Sequence, residues 1–235
     1  MPENREIDSK NSVDKDRLTV KQAIWATFYA FVTYTLVAIF ISILITSTFP
    51  IEQFKIVFIK FSPILSFFAL IALFRYIKAK TNFGLYCLGF RKIGLRKALL
   101  AGFFVAIIWK ATFLIGKTIK LSTLINNLEI FVSHPAFYPY SWGSVTVGPF
   151  FEEVFFRGLW YGVLREKIPK FLAMVFISLV FAIFHPYTKL APYLGAFLIG
   201  IFLTLLYEKT RNLYSSIIAH IFINFFTILF IGAQY

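Results

Sequence analysis

Seven long runs of apolar residues limit what this chain can fold into more than any other feature. Each run has about the length of a bilayer-spanning helix. They lie near residues 23–46, 56–77, 98–119, 141–164, 171–188, 190–207 and 213–232. Because only helices and closed barrels satisfy the backbone hydrogen bonds in lipid, runs of this length predict helices. The sequence therefore predicts an all-α fold, a polytopic transmembrane bundle with about seven spans.

The net charge of +13 does not indicate nucleic-acid binding here. The placement of the basic residues instead predicts how the chain is oriented in a membrane. Most of the 24 Lys and Arg residues fall in connecting segments that are cytoplasmic if the N-terminus is cytoplasmic. This is the positive-inside pattern of an integral membrane protein. We expect the plasma membrane, a cytoplasmic N-terminus and an outer C-terminus. The basic residues within 91–97 can also contact anionic lipid headgroups. The sequence does not indicate an oligomeric state.

The polarity of the chain changes at two points, and these changes predict three regions. Residues 1–22 are polar and contain all three aspartates, which predicts a solvated cytoplasmic tail. Residues 23–140 contain three bulky apolar spans and their loops. From 141 to 235, polar and small residues recur inside the spans, and the short connections predict neighbouring antiparallel helices. We expect this last region, a four-helix core, to be the functional part.

Two adjacent carboxylates lie in the middle of a predicted span. Glu152 and Glu153 each cost roughly 2.5–3.5 kcal/mol there unless they are paired. Glu153 precedes Arg157 by four residues, so the two side chains share a helix face and can form an ion pair. Glu152 lies about 140° round an α-helix from Arg157, so it points elsewhere in the bundle. On the same span, Gly158 and Gly162 form a GxxxG pair, which predicts the close approach of another helix.

Three further polar residues lie within other predicted spans, and they can converge with Glu152. His220 and Asn224 are four residues apart on one face, and His185 ends a separate apolar run. A carboxylate and an imidazole can take a proton from water while another imidazole and an amide stabilise an oxyanion. Alternatively, Glu152, His185 and His220 can hold zinc as a His2Glu set. The single cysteine, Cys87, excludes a cysteine-clustered metal site.

Simpler interpretations of these residues compete with a catalytic one. An ion pair within one helix is often structural, and a single buried histidine can be a hydrogen-bonding packing residue. Four polar positions together, with no other acid deep in the spans, favour a functional site. A proton-coupled transporter can also use buried Glu and His, but the chain shows no internal repeat that would predict one.

Three motifs in these spans resemble those of a known family. Residues 152–157 read EEVFFR, residues 181–185 read FAIFH and residues 220–224 read HIFIN. As EExxxR, FxxxH and HxxxN in this order, they resemble the CPBP family, the CAAX protease and bacteriocin-processing group of intramembrane proteases. The resemblance covers about residues 141–229. It implies an endopeptidase that hydrolyses a peptide bond of a membrane-associated protein or peptide.

The resemblance also implies a role for each motif residue. Glu152 would be the general base, working with His185 on the attacking water. His220 and Asn224 would stabilise the tetrahedral intermediate. The family is commonly labelled metalloprotease, and a metal-free, glutamate-dependent mechanism is also proposed for members. Both zinc and no cofactor therefore remain open.

Two supporting residues and one alternative function complete what the resemblance implies. Glu153 and Arg157 would fix the helix and tune the neighbouring carboxylate. Some family members are linked to bacteriocin self-immunity, so a membrane immunity or scaffolding protein that acts without proteolysis is the alternative. The chain contains no HExxH, GxSxG or GxGD motif, which argues against the other intramembrane protease types.

Overall fold

The computed structural model describes residues 18–82, 84–92, 94–114, 126, 143–185 and 190–231. These residues form seven long helices and, within the described ranges, no strand. The helices are α1 (Val20–Thr48), α2 (Phe54–Lys80), α3 (Leu95–Leu114), α4 (residues 143–164), α5 (Lys170–Ile183), α6 (Leu190–Thr210) and α7 (Leu213–Ile231). Short 3-10 turns occupy Ile51–Gln53 and Gly84–Leu88. The predicted all-α fold is confirmed, and each helix coincides with one predicted span.

The outer surface of the bundle is strongly apolar, as expected of a membrane protein. Phe31, Phe40 and Ile43 on α1 are more than 60% exposed although they are large and hydrophobic. Within the described ranges, α1 and the Pro192–Thr210 part of α6 are long and apolar enough to cross a membrane. Helix α5 and the Leu213–Thr227 part of α7 are shorter apolar helices. The structure therefore belongs to an all-α membrane protein, while the number of spans stays a prediction.

The helix ends differ from the predicted spans for local reasons. Helix α1 begins at Val20 because Thr19 and Gln22 form a capping box, three residues before the predicted start at 23. Helix α5 ends at Ile183, so the predicted span 171–188 is too long. Its 14 residues rise only about 21 Å, less than the roughly 30 Å of a bilayer core. His185 consequently follows the end of a short helix. The predicted positions 115–119, 141–142, 186–189 and 232 lie outside the described residues.

Helix α4 occupies the centre of the bundle. It contacts α2, α5, α6 and α7, while α1 packs on α2, α3 packs on α7 and α5 packs on α6. Its apolar side chains Val154 and Leu159 are fully buried and belong to one core cluster with Phe181 of α5 and Leu213 of α7. The helix that carries the two adjacent carboxylates is therefore surrounded by protein.

The backbone of α4 is not a regular α-helix. The stretches Gly143–Val147 and Val154–Tyr161 are π-helical, and the amide of Gly162 donates to the carbonyl of Arg157, five residues earlier. Single π-helical turns occur frequently at functional sites. The angle of 140° between Glu152 and Arg157 assumed a regular α-helix, so that value is wrong here. Arg157 forms its ion pair with Glu153 and not with Glu152.

The sequence predicted that another helix would approach the GxxxG pair on α4. At Gly158 the structure shows instead a 3-10 turn and the start of a helix. A methyl group added to Gly158 would lie 3.0 Å from the carbonyl oxygen of Leu88, at the end of the 3-10 turn Gly84–Leu88. It would also lie 3.3 Å from the Leu213 side chain, at the start of α7. Gly158 therefore permits close packing of a turn and a helix end.

Candidate active site

A buried ion pair forms the base of the polar site at the centre of the bundle. Nη1 of Arg157 donates to Oε1 of Glu153 at 2.8 Å, and both side chains are fully buried. Nη2 donates to the carbonyl oxygen of Gly200 at 3.1 Å, and Nε donates to Oγ1 of Thr204 at 3.3 Å. Buried charges require such additional partners to offset their desolvation. Helix α6 thus supplies the hydrogen bonds that hold the ion pair of α4.

One aromatic ring joins the ion pair to both histidines. The Cζ atom of Arg157 lies 4.6 Å from the centre of the Phe181 ring, which is a cation–π distance. The same ring lies 4.7 Å from the ring of His185 and 5.7 Å from the ring of His220, measured between centroids. Phe181 is itself buried. It therefore fixes the relative positions of three charged or titratable side chains.

The orientation of the His220 ring follows from its contact with Glu153. Nδ1 of His220 lies 2.8 Å from Oε1 of Glu153, the oxygen that also accepts from Arg157. An ionised carboxylate only accepts hydrogen bonds, so Nδ1 carries the proton. This leaves Nε2 directed towards Glu152, whose Oε2 lies 3.8 Å away. Glu153 therefore sets both the position and the tautomer of His220.

His185 has a fixed orientation for a similar reason. Its Nδ1 lies 2.8 Å from the carbonyl oxygen of Phe181, one turn earlier on α5. Because a carbonyl oxygen only accepts, Nδ1 is the donor. Nε2 then faces Oε2 of Glu152 at 3.9 Å. The end of α5 thus places a second imidazole beside the same carboxylate oxygen.

Glu152 lies on the open side of the site, unlike its neighbour. Its side chain is 28% exposed and that of His185 is 26% exposed, whereas Glu153 is fully buried. Within the described part of the chain, Oε2 of Glu152 has no hydrogen-bond partner. Polar atoms more than 3.5 Å apart are not directly hydrogen-bonded, and a water molecule beside them can contact both. A water molecule that enters from the open side can therefore hydrogen-bond to the carboxylate and to an imidazole.

The structure thus brings five of the six residues singled out from the sequence into direct contact or close approach. The sixth, Asn224, lies on α7 one turn beyond His220 and is half-buried. Residues four apart share one helix face, so Asn224 and His220 lie on the same side of α7.

The donor atoms expected for zinc are present, and their spacing is about 0.4–0.5 Å wider than in a tetrahedral zinc site. Zinc ligands at about 2.0–2.1 Å in a tetrahedral site lie roughly 3.4 Å from one another. Oε2 of Glu152 lies 3.8 Å and 3.9 Å from the Nε2 atoms of His220 and His185. Across the described residues, no three His, Cys, Asp or Glu side chains form a group that could hold a metal ion. We therefore derive no catalytic step through a metal.

Sequence reasoning missed several residues that position the site. It included Phe181 in the FxxxH motif without a role, although its place four residues before His185 puts both on one face of the helix. It gave no indication that Thr204 and the Gly200 carbonyl accept from Arg157. The contact between Glu153 and His220 joins residues 67 positions apart, and no local pattern predicts such a pairing.

Comparisons with known proteins point to one family. Residues 134–226 match the model of the Rce1-like family, type II CAAX prenyl endopeptidase Rce1-like. The chain is also 34% identical over 86 residues to the protein named "Putative membrane peptidase YdiL" of Bacillus subtilis (strain 168). That alignment covers 37% of this chain and 34% of the relative, so the chain matches about a third of that protein's length. No solved structure matches the chain. The resemblance to the CPBP family is confirmed over this segment.

Proposed function

We propose that this protein is an intramembrane endopeptidase that hydrolyses a peptide bond of a membrane-associated protein or peptide. One observation carries the proposal: Oε2 of Glu152 lies within 4 Å of the Nε2 atoms of both His185 and His220. Both rings have their Nδ1 atoms engaged elsewhere, so both Nε2 atoms face one carboxylate on the open side of the site. The match to the Rce1-like family model over the same helices supports this chemistry.

The proposed reaction begins with a water held between Glu152 and His185. Glu152 takes one proton of the water, and the water oxygen bonds to the carbonyl carbon of the substrate. The π electrons of the carbonyl group move to its oxygen. When the tetrahedral intermediate collapses, the C–N bond breaks and the proton passes from Glu152 to the leaving nitrogen. The protein thus ends the cycle with the carboxylate restored.

The oxyanion of this intermediate would be stabilised from α7. Asn224 can donate from its amide, and a second proton on His220 would provide an N–H at Nε2. Once Glu152 has taken the proton of the water, the oxyanion at Nε2 and Glu153 at Nδ1 would together balance the charges of that doubly protonated ring and of Arg157.

The Glu152→Gln variant tests this function. Glutamine keeps the size of the side chain but cannot take a proton, so cleavage should fall by roughly 10²–10⁴-fold. Membrane fractions of cells that carry the wild type or the variant would be compared by proteomics of peptide termini. Candidate substrates would then be cleaved by the purified protein in nanodiscs. Glu52→Gln, an exposed substitution in the turn Ile51–Gln53, is the matched control and should retain full activity.

The same variant distinguishes proteolysis from a binding function. Oε2 of Glu152 has no hydrogen-bond partner in the described residues, so the glutamine of this variant should leave the thermal unfolding midpoint nearly unchanged. A folded Glu152→Gln protein with wild-type cleavage would overturn the proposed mechanism. If no terminus differs between cells with the wild type and cells that lack the protein, the proposed proteolytic function fails.

A further inference from the structure

A second polar cavity lies at the other end of α4 from Glu152. It has a volume of about 240 Å³ and is bordered by Gly158 and Gly162 of α4 and by Tyr207 of α6. Gly158 and Gly162 follow Glu152 by six and ten residues along α4, and none of the polar residues of the candidate active site lines the cavity. The cavity is therefore a separate feature from the candidate active site.

Three arginines from three connecting segments converge on this cavity. Arg91 follows the turn Gly84–Leu88, Arg165 lies between α4 and α5, and Arg211 lies between α6 and α7. Only one carboxylate, Glu166, lines the cavity within the described part of the chain. The lining therefore carries an excess of positive charge.

These arginines differ in how far their charges are already neutralised. Arg165 pairs with Glu166 and with Glu208, each at 2.8 Å. Arg211 pairs with Glu208 at 3.1 Å and remains 40% exposed. Among the described residues, no carboxylate forms an ion pair with Arg91. Its Nε atom is buried without a hydrogen-bond partner. Its guanidinium lies over the face of the Tyr86 ring, with Cζ 5.0 Å from the ring centroid. Arg91 thus keeps donors available for an anion.

The backbone conformation of Arg211 is a second, independent observation that points to a ligand site. Its φ of 53° lies in the left-handed region, where a helix usually ends with glycine. Its amide donates to the carbonyl of Tyr207 at 2.7 Å and closes the end of α6. A non-glycine residue in this conformation is strained, and such strain concentrates at ligand sites. Arginine therefore occupies a position at which this helix end favours glycine.

We propose that this cavity binds a phosphoryl group, carried either by an anionic lipid headgroup or by a soluble phosphate. The planar guanidinium presents paired N–H donors that match phosphate oxygens in a bidentate geometry. Gly162 leaves open volume that a side chain would otherwise fill, because a methyl group added there would contact only the Arg157 carbonyl oxygen, at 3.7 Å. The positive lining and the free donors of Arg91 select for an anion, and the volume is several times that of a water molecule, about 30 Å³.

The experiment uses the full chain in phosphatidylcholine nanodiscs and measures its thermal unfolding midpoint. A ligand that binds only the folded state raises this midpoint. One arm adds inorganic phosphate against sodium chloride of equal ionic strength, and the other replaces part of the lipid with phosphatidylglycerol. Stabilisation in the first arm identifies a soluble phosphate as the source, and stabilisation in the second arm alone identifies a lipid headgroup.

Two variants with different chemistry locate the binding. Arg91→Gln removes the free donors, and Gly162→Leu fills the cavity without changing its charge; each should weaken the stabilisation by at least about tenfold in apparent affinity. Lys209→Gln is the control because this exposed lysine lies close by on α6 but does not line the cavity. The proposal fails if neither arm stabilises the wild type, if both cavity variants keep the full response, or if Lys209→Gln loses it to the same extent. None of these readouts depends on proteolysis.

Discussion

A single oxygen, Oε1 of Glu153, lies 2.8 Å from Nδ1 of His220 and so joins α4 to α7. The same oxygen accepts from Arg157, so Glu153 joins the ion pair to the histidine of the candidate active site. Since Glu153 is fully buried, its charge interacts with these partners in a medium of low dielectric constant. The contact therefore controls both the stability of the bundle and the orientation of the ring beside Glu152.

Glu153→Gln should destabilise the protein by about 3–5 kcal/mol, because it leaves the buried guanidinium of Arg157 without its carboxylate. The double variant Glu153→Gln with Arg157→Gln should be less destabilised than the sum of the two single variants, since it removes both charges. Unfolding of all three variants in detergent by heat or denaturant would measure this. Additive effects would show that the pair contributes no coupling energy. Glu52→Gln serves as the exposed control.

Phe181→Leu should lower kcat more than it changes KM. Leucine keeps the site apolar but removes the ring that lies against Arg157, His185 and His220. The lost cation–π contact alone is worth about 2 kcal/mol when it is desolvated. The histidines would then occupy more orientations around Glu152, which slows the chemical step rather than substrate binding. Steady-state cleavage of an identified substrate would separate the two constants, and a change confined to KM would contradict this positioning role.

The local parts of the site could be predicted from the sequence because they depend on helix periodicity. The i, i+4 spacing of Glu153 and Arg157 predicted their ion pair, and the positions of apolar runs predicted seven helices. The unfavourable free energy of a carboxylate inside a membrane span predicted that Glu152 would face polar partners. These inferences need no knowledge of how helices are arranged around one another.

The long-range parts could not be predicted in this way. The sharing of Glu153 between Arg157 and His220 depends on the crossing of α4 and α7, which no single-helix pattern specifies. The π-helical stretch of α4 depends on tertiary packing, so an angle based on 3.6 residues per turn failed there. The GxxxG pair predicted a close approach but could not indicate that a turn, rather than a helix, would make it.

Chelation of metal ions should leave proteolytic activity unchanged. The spacing of Glu152 from His185 and His220 is slightly wider than that of zinc ligands, and the described residues form no group of three side chains that could hold a metal ion. Purified protein would be dialysed against a strong chelator and assayed before and after the addition of zinc. Loss of cleavage that zinc restores would contradict the metal-free mechanism, whereas the identity of Glu152 as a required residue would stand in either case.

Modification of Cys87 should be slow near neutral pH. Burial raises the pKa of the Cys87 thiol to about 11, and its Sγ donates to the carbonyl oxygen of Gly84. Because the thiolate is the reactive form and the pKa is above its usual value, the thiolate fraction at about pH 7.5 is roughly 100-fold lower than for an ordinary cysteine. Maleimide labelling should accelerate as the pH rises towards that pKa. Labelling of the denatured chain is the control, and equal rates in both states would contradict the prediction.

Gly200→Ala should destabilise the protein by about 1–3 kcal/mol, a typical cost of overpacking. An added methyl group would lie 2.9 Å from Cβ of Ser178, so α6 would have to move away from α5. This movement would also displace the carbonyl oxygen that accepts from Arg157. Gly195→Ala on the same helix is the matched control, because nothing lies within 4 Å of its added methyl group and alanine favours the helix. Thermal unfolding should show a lower midpoint for Gly200→Ala alone, with partial recovery when Ser178→Gly is combined with it. Equal midpoints for the two single variants would show that the contact between α5 and α6 can relax without cost.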